Sequence, residues 1–349
     1  MADTAAASHI RSAIGEGGPM PFDEFMERAL YGPGGFFAGD ELRSEKAGDF
    51  LTSPEVSPWF GRMFGRFVAR ERARLGEPFR LVEVGAGSGS LLAGLLAECD
   101  VEAWAVERSP AARHRLAQVV APGRVVEEMG DALGRGVVIA NELLDNLPMA
   151  IAVRRGDGWS EQLVADRGGT LAIVEEPARP AVGEWADQFS GPVEEGDIVE
   201  VQLQATRWVA EVLAAIGTGS LVIIDYGATA EELEPRRAKG TLRTYRSHHL
   251  GPDPLLEPGA TDITADVNFT AVMAAAREAG AAVELHRQDD FLSELGLRDV
   301  VSQLRREELD LARSGDELAR LKIRSDLTDI GALLNPRGLG DFRIVVARV

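Results

Sequence analysis

The run Glu83-Val84-Gly85-Ala86-Gly87-Ser88-Gly89 carries the sharpest chemical signal in the chain. It follows a short apolar stretch, Arg80–Val84, that reads as a strand. Glycines at such a point let the backbone turn tightly and approach a ligand lying across the strand's carboxyl end. A dinucleotide fingerprint would require glycine where this chain has Ser90. The G-x-G-x-G form preceded by an acid suits an adenosyl ligand without a pyrophosphate, its amino-acid portion over the loop. A tight turn with no ligand is the plainer alternative, and the next residues weigh against it. Glu107 ends a second strand, Val101–Val106, about twenty residues beyond the loop, where a carboxylate accepts hydrogen bonds from both ribose hydroxyls. Gly130-Asp131-Ala132 follows a third strand. Asp131 is placed to accept from an adenine amino group and Ala132 to leave room for the ring, although Asp after a strand also serves as a helix cap.

A second group, Asn141-Glu142-Leu143-Leu144-Asp145-Asn146-Leu147-Pro148, leaves a fourth strand. Asn141, Glu142 and Asp145 offer carbonyl and carboxylate acceptors that would orient a nitrogen nucleophile and hold its positive charge. Capping a helix is the competing role for Asp145.

These residues need a frame that brings strand ends together, and the hydrophobic pattern supplies one. A mixed helical segment covers 8–30. Val56, Phe60, Met63, Phe64 and Phe67 recur at helical spacing within 56–75. Beyond Pro78, short apolar strands (Arg80–Val84, Val101–Val106, Arg124–Glu127, Val137–Ala140) alternate with helices near 90–98 and 110–120, which predicts right-handed crossovers and a parallel sheet. Residues 150–176 read as two or three antiparallel strands joined by glycine turns. A helix near 202–216 leads to a fifth strand, Leu221–Asp225. Residues 228–268 read as a long polar connection. A helix at 269–279, a strand at 283–288, a helical region at 291–330 and a last strand at 342–348 complete a doubly wound α/β sheet. The last strand is expected to run antiparallel, inside the sheet or at its edge.

The ordered set Glu83, Gly85, Gly87, Gly89, Glu107 and Asp131 resembles the S-adenosylmethionine pocket of Rossmann-like methyltransferases, in which the position of Asn141–Asp145 faces the transferred methyl. A narrower resemblance follows from longer motifs. Gly48-Asp49-Phe50-Leu51-Thr52-Ser53-Pro54-Glu55-Val56-Ser57 resembles the G-D-F-[IL]-T-[SA]-P-E-[IV]-S motif of the MidA-like methyltransferases, the family of the mitochondrial complex I assembly methyltransferase. Tyr31-Gly32-Pro33-Gly34-Gly35-Phe36-Phe37 resembles that family's Y-x-P-x-x-G-Y-Y turn, with phenylalanines in place of tyrosines. Asp225-Tyr226-Gly227, Gly240–Arg243 with Tyr245, His248-His249 and Asp262–Phe269 also match, and the ending Gly338–Arg343 does so imperfectly. The match runs from about residue 10 to the end. It implies a class I methyltransferase fold with seven mostly parallel strands, S-adenosyl-L-methionine as cofactor, and a cap in which Asp49–Ser53 folds over it. Thr52 and Ser53 suit the cofactor's carboxylate. The division expected is an N-terminal helical cap or lid over 1–78 and a methyltransferase domain over 79–349, with insertions at about 150–200 and 228–268. The resemblance further implies methyl transfer to a nitrogen, with arginine of a partner protein as the acceptor. Methylation of a small metabolite and a non-catalytic assembly role are the alternatives.

Charge and composition narrow the partners. Acidic residues number 56 against 37 basic, a net charge of −19, which disfavours nucleic acid and anionic membrane surfaces. No stretch is apolar for long enough to span a bilayer. The resemblance implies a methyl acceptor, protein or small molecule, as the partner, with a homodimer allowed. A lone cysteine, Cys99, and five histidines without ligand spacing predict no metal. The cysteine usage and the acidic first thirty residues lead to the expectation of a cytoplasmic protein.

Overall fold

Seven short runs rich in Val, Ile, Leu and Ala line up into one sheet in the computed structural model, which describes residues 4–39, 52–121, 123–246, 249–314 and 316–349. They are β1 (Arg80–Val84), β2 (Ala103–Val106), β3 (Val125–Val126), β4 (Gly136–Asn141), β5 (Gly219–Asp225), β6 (Ala282–Arg287) and β7 (Arg343–Arg348). Their order is β6-β7-β5-β4-β1-β2-β3. Strands β1 to β5 pair in parallel, and β7 runs antiparallel between β5 and β6. The last strand thus occupies the interior of the sheet.

Alternation splits each central strand between two cores, as expected for a sheet covered on both sides. Leu81, Val137, Ile139, Val222, Ile224, Ile344 and Val346 face the helices Pro58–Leu75, Ser90–Leu96, Gln288–Glu294, Leu297–Ser314 and Glu317–Leu333. Val82, Val138, Ala140, Leu221, Ile223 and Val345 face Leu203–Ile216 and Phe269–Glu278. On the first side, Pro58–Leu75 and Ser90–Leu96 cross with their backbones touching. A Cβ on Gly61 would lie 2.8 Å from the Gly94 Cα and 2.7 Å from the Leu91 carbonyl oxygen. Only glycine permits that approach, which fixes the helix that begins at the glycine loop.

A second, antiparallel sheet stands beside the first. Gly158–Asp166 pairs with Met20–Pro21, Ala150–Arg155 and Leu171–Pro177, and Ala150–Arg155 also pairs with Ile198–Val201. The insertion at 150–200, expected to hold two or three strands, contains three over 150–177 and, in addition, the helix Pro180–Phe189 and a fourth strand. The segment expected as one helical stretch over 8–30 is two helices, Ala5–Gly17 and Phe22–Tyr31, broken at Gly18 (φ 85°). Ile10, Phe25, Met26 and Leu30 from these helices pack on Ile151 and Val164 of the second sheet and on Met149 and Ile263.

Pro58–Leu75 shares a core with β1, whereas the first two helices share one with the insertion. The 228–268 stretch is also more ordered than its punctuated sequence suggests. Arg243–Arg246 pairs with His249–Leu250 and Asp262–Thr264, and Gly227–Ala228 pairs with Val267–Asn268. These strands are two to four residues long, too short for alternation to register. No helix among the described residues is long and apolar enough to cross a membrane.

Candidate active site

Chain direction places the site. From β1 the chain winds outward to β3, and from β4 it winds the other way, so β1 and β4 flank the switch point where open α/β sheets bind ligands at the strands' carboxyl ends. The register Val84↔Ala140 sets the glycine loop beside Asn141 and Glu142.

Gly85, Gly87 and Gly89 all have left-handed backbone, with φ of 71°, 50° and 80°. The Gly87 amide donates to Glu107 Oε2 at 2.9 Å, and the Ser109 amide donates to Glu107 Oε1 at 2.8 Å. The Glu107 carboxylate therefore knits the loop after β1 to the turn after β2. Burial pushes this carboxyl above its ordinary range, opposed by those two amides. Glu83, 4% exposed, is pushed well above it by burial and then by the charge of Glu107. Its Oε2 is buried without a hydrogen-bond partner.

Across the switch point, Asn141 ends β4 and its Oδ1 is likewise buried without a partner. Glu142 follows with φ 50°, a left-handed conformation costing about 1–3 kcal/mol in a residue other than glycine. Its amide donates 2.8 Å to the Ile224 carbonyl of β5, which holds the bend. Asn141 Nδ2 donates 3.3 Å to Glu142 Oε1. Burial, reinforced by Asp145, raises the Glu142 carboxyl to about 8 against hydrogen bonds from Asn141 and the Ser53 backbone.

These groups wall a cavity of about 370 Å³, within the ~300–1,000 Å³ usual for small-molecule sites. Among the described residues its charged lining is six glutamates (Glu55, Glu83, Glu107, Glu127, Glu128, Glu142) and one arginine, Arg108. The remainder includes Val84, Ala86, Leu91, Val106, Ala112, Met129, Leu143 and Trp208. Unpartnered acceptors at Glu83 and Asn141, an acidic wall and an apolar slot fit a cationic nucleoside. S-adenosylmethionine has that chemistry: two hydroxyl donors, an ammonium, a sulfonium and a flat ring.

Not every expected residue reaches this cavity. Thr52, Glu83, Gly85, Gly87, Glu107, Asn141 and Glu142 line it. Ser53 is wholly buried behind it, its hydroxyl donating 3.3 Å to Gln288 Oε1. Gly89 turns the chain into Ser90–Leu96, and a Cβ there would meet Leu116 Cδ2 at 2.9 Å, so it packs against a helix. Asp131 is exposed and lies outside the cavity. The single turn Gly130–Ala132 folds back to the start of β1, where Arg80 Nη1 donates 2.7 Å to the Asp131 carbonyl. Ala132 is buried in the core beneath. Glu127, Glu128 and Met129 line the cavity in their stead. Asp49 lies outside the described residues.

Asp145, expected beside Asn141 and Glu142, is not among the residues that line the cavity. It lies in the turn Leu144–Asn146, where Thr264 Oγ1 donates 2.7 Å to its Oδ2 and the Tyr226 hydroxyl also donates, while its Oδ1 is buried without a hydrogen-bond partner. Asp225, at the end of β5, accepts from the amides of Leu144 (3.0 Å), Asp145 (3.3 Å) and Tyr226 (3.0 Å). Burial raises both carboxyls. Trp208 and Gln204 carry no local sequence signal, because the helix Leu203–Ile216 reaches the cavity only through tertiary packing.

Comparison with known proteins agrees with this geometry. Residues 63–287 match the model of a family described as "Putative S-adenosyl-L-methionine-dependent methyltransferase". A crystal structure from Burkholderia thailandensis, bound to S-adenosyl-homocysteine, superposes with a TM-score of 0.86 at 31% identity, covering 99% of this chain and 92% of that one. The protein arginine methyltransferase NDUFAF7, mitochondrial, of Xenopus tropicalis is 29% identical over 84% of this chain and 76% of its own. The human protein of that name is 27% identical over 97% and 82%. These relatives are mitochondrial, which overturns the cytoplasmic expectation. A lone cysteine fits any reducing compartment and could not discriminate among them. The fold, the cavity and the matched family agree on one conclusion: the chain belongs to the S-adenosylmethionine-dependent methyltransferases of this family, with a class I fold.

Proposed function

We propose that this methyltransferase modifies a guanidino nitrogen of arginine in a partner protein. The observation that carries the reading is Glu142, a carboxyl raised to about 8 and bent by its backbone into the wall of a glutamate-lined cavity. Curated relatives named as protein arginine methyltransferases support the same acceptor.

In this reading Glu107 accepts from the ribose hydroxyls, Glu83 and Asn141 face the ammonium, Thr52 meets the carboxylate, and Gly85 and Gly87 let the backbone lie against the ligand. The cofactor supplies an electrophilic methyl group on a sulfonium. The positive charge of the guanidinium favours the ionised form of Glu142, and that carboxylate accepts from its N–H groups in a planar fork. A base whose proton affinity lies near neutral pH is also suited to take the proton that the nitrogen loses. Asp145 acts through the turn, held by Tyr226 and Thr264. Most of the acceleration is alignment, for which well-oriented reactants gain about 7–11 kcal/mol.

The test is transfer of radiolabelled methyl groups into a lysate fractionated by size, followed by acid hydrolysis of the protein fraction. Methylarginine in protein supports the reading. Label confined to small metabolites, or on another amino acid, refutes it. Glu142→Gln should lower turnover and retain calorimetric binding of S-adenosylhomocysteine.

A further inference from the structure

Tyr31 stands where three parts of the site meet. It ends the helix Phe22–Tyr31, and its hydroxyl donates 3.1 Å to the Asn146 carbonyl in the turn that follows β4. Burial, then the charges of Asp145 and Asp262, push that hydroxyl well above the usual phenol range, so it stays a donor. Over its ring, 4.4 Å from the centroid, sits the guanidinium of Arg108. Arg108 also reaches Glu27 Oε1 at 2.9 Å, one helical turn before Tyr31. Arg108 adjoins Glu107 in sequence, and Arg113 Nη1 anchors both residues through their carbonyls at 2.9 and 2.7 Å. Tyr31, Arg108 and Asn146 all face the cavity.

One side chain therefore touches the run that carries Glu107 and the turn that carries Glu142. We propose that Tyr31 is a positioning residue that ties these two ends of the cavity together, so that filling the nucleoside end stiffens the acceptor turn. Its contacts with Arg108 are half-exposed and weak singly, which lets the link respond to occupancy without unfolding the protein. The proposal rests on the site assignment above.

Hydrogen exchange of the amides of Leu144, Asp145, Asn146 and Leu147 tests it, measured without ligand and with saturating S-adenosylhomocysteine. In the unmodified protein the ligand should slow exchange at these amides at least ~10-fold. Tyr31→Phe keeps the ring in place but removes the hydroxyl, and should reduce that slowing to less than ~2-fold. Arg108→Ala should do the same from the other end, and Arg108→Lys, which keeps the cation, should restore most of it. Equal slowing in Tyr31→Phe and the unmodified protein, or binding without slowing in the latter, overturns the proposal while leaving the site assignment intact. Calorimetric absence of binding to the unmodified protein refutes both.

Discussion

Glu142→Gln should change how stability depends on pH. In the folded protein this carboxyl titrates at about 8 instead of 4.5, first because it is buried and then because Asp145 lies close. Between those two values the folded state keeps a proton that the unfolded chain has released. The contribution of the group is therefore fully present below pH 4.5 and is lost as pH rises through 8, at up to ~1.4 kcal/mol per pH unit inside the window. From pH 6 to pH 8 the loss is about 2–3 kcal/mol, a ceiling because Glu142 faces the cavity. With an m-value of ~3 kcal/mol/M, the urea midpoint should fall by up to about 0.8 M over that interval. Glutamine cannot titrate, so the variant should lack this component. Asp145 and Asp225 are shifted in the same direction and remain in both proteins, so the quantity to read is the difference between the two profiles. Urea unfolding followed by circular dichroism at pH 5, 6, 7 and 8, without ligand, supplies it. Midpoint curves that run parallel across the range would show that Glu142 is not held protonated by its surroundings.

Glu107→Ala should weaken S-adenosylhomocysteine by about 10- to 150-fold, from the ~1.5–3 kcal/mol of a hydrogen bond to a charged group, and it also frees the Gly87 amide. Calorimetry with undiminished affinity would remove Glu107 from the site. Asp131→Ala, altering an exposed residue outside the cavity, should leave that affinity within about twofold, and a loss above tenfold would return Asp131 to the adenine end. Gly85→Ala forces a left-handed residue with its Cβ 3.0 Å from Leu143 Cδ1. It should cost ~1 kcal/mol of stability and weaken the cofactor, which thermal melts with and without ligand will show. Asp145→Asn should lower kcat with little change in the KM for the cofactor, and the opposite split would place Asp145 at the nucleoside.

Much of this candidate site is legible in the sequence. The glycine loop, Glu107 and Asn141–Glu142 are local signals, because a sharp turn at a strand end restricts which residues fit and the parallel register then sets the loops side by side. The long motifs added the family and its cofactor. Tertiary structure decided which way side chains point. Asp131 and Asp145 carry suitable chemistry at suitable positions, yet one single-turn helix faces its aspartate to solvent and the other buries it against Tyr226 and Thr264. No spacing in the chain encodes that rotation, which depends on packing against β1 and on partners 80 to 120 residues away. The same holds for Trp208 and for the link from Tyr31 to Arg108 and Asn146, contacts between segments far apart in sequence that exist only once the two sheets and their helices have closed around the cavity.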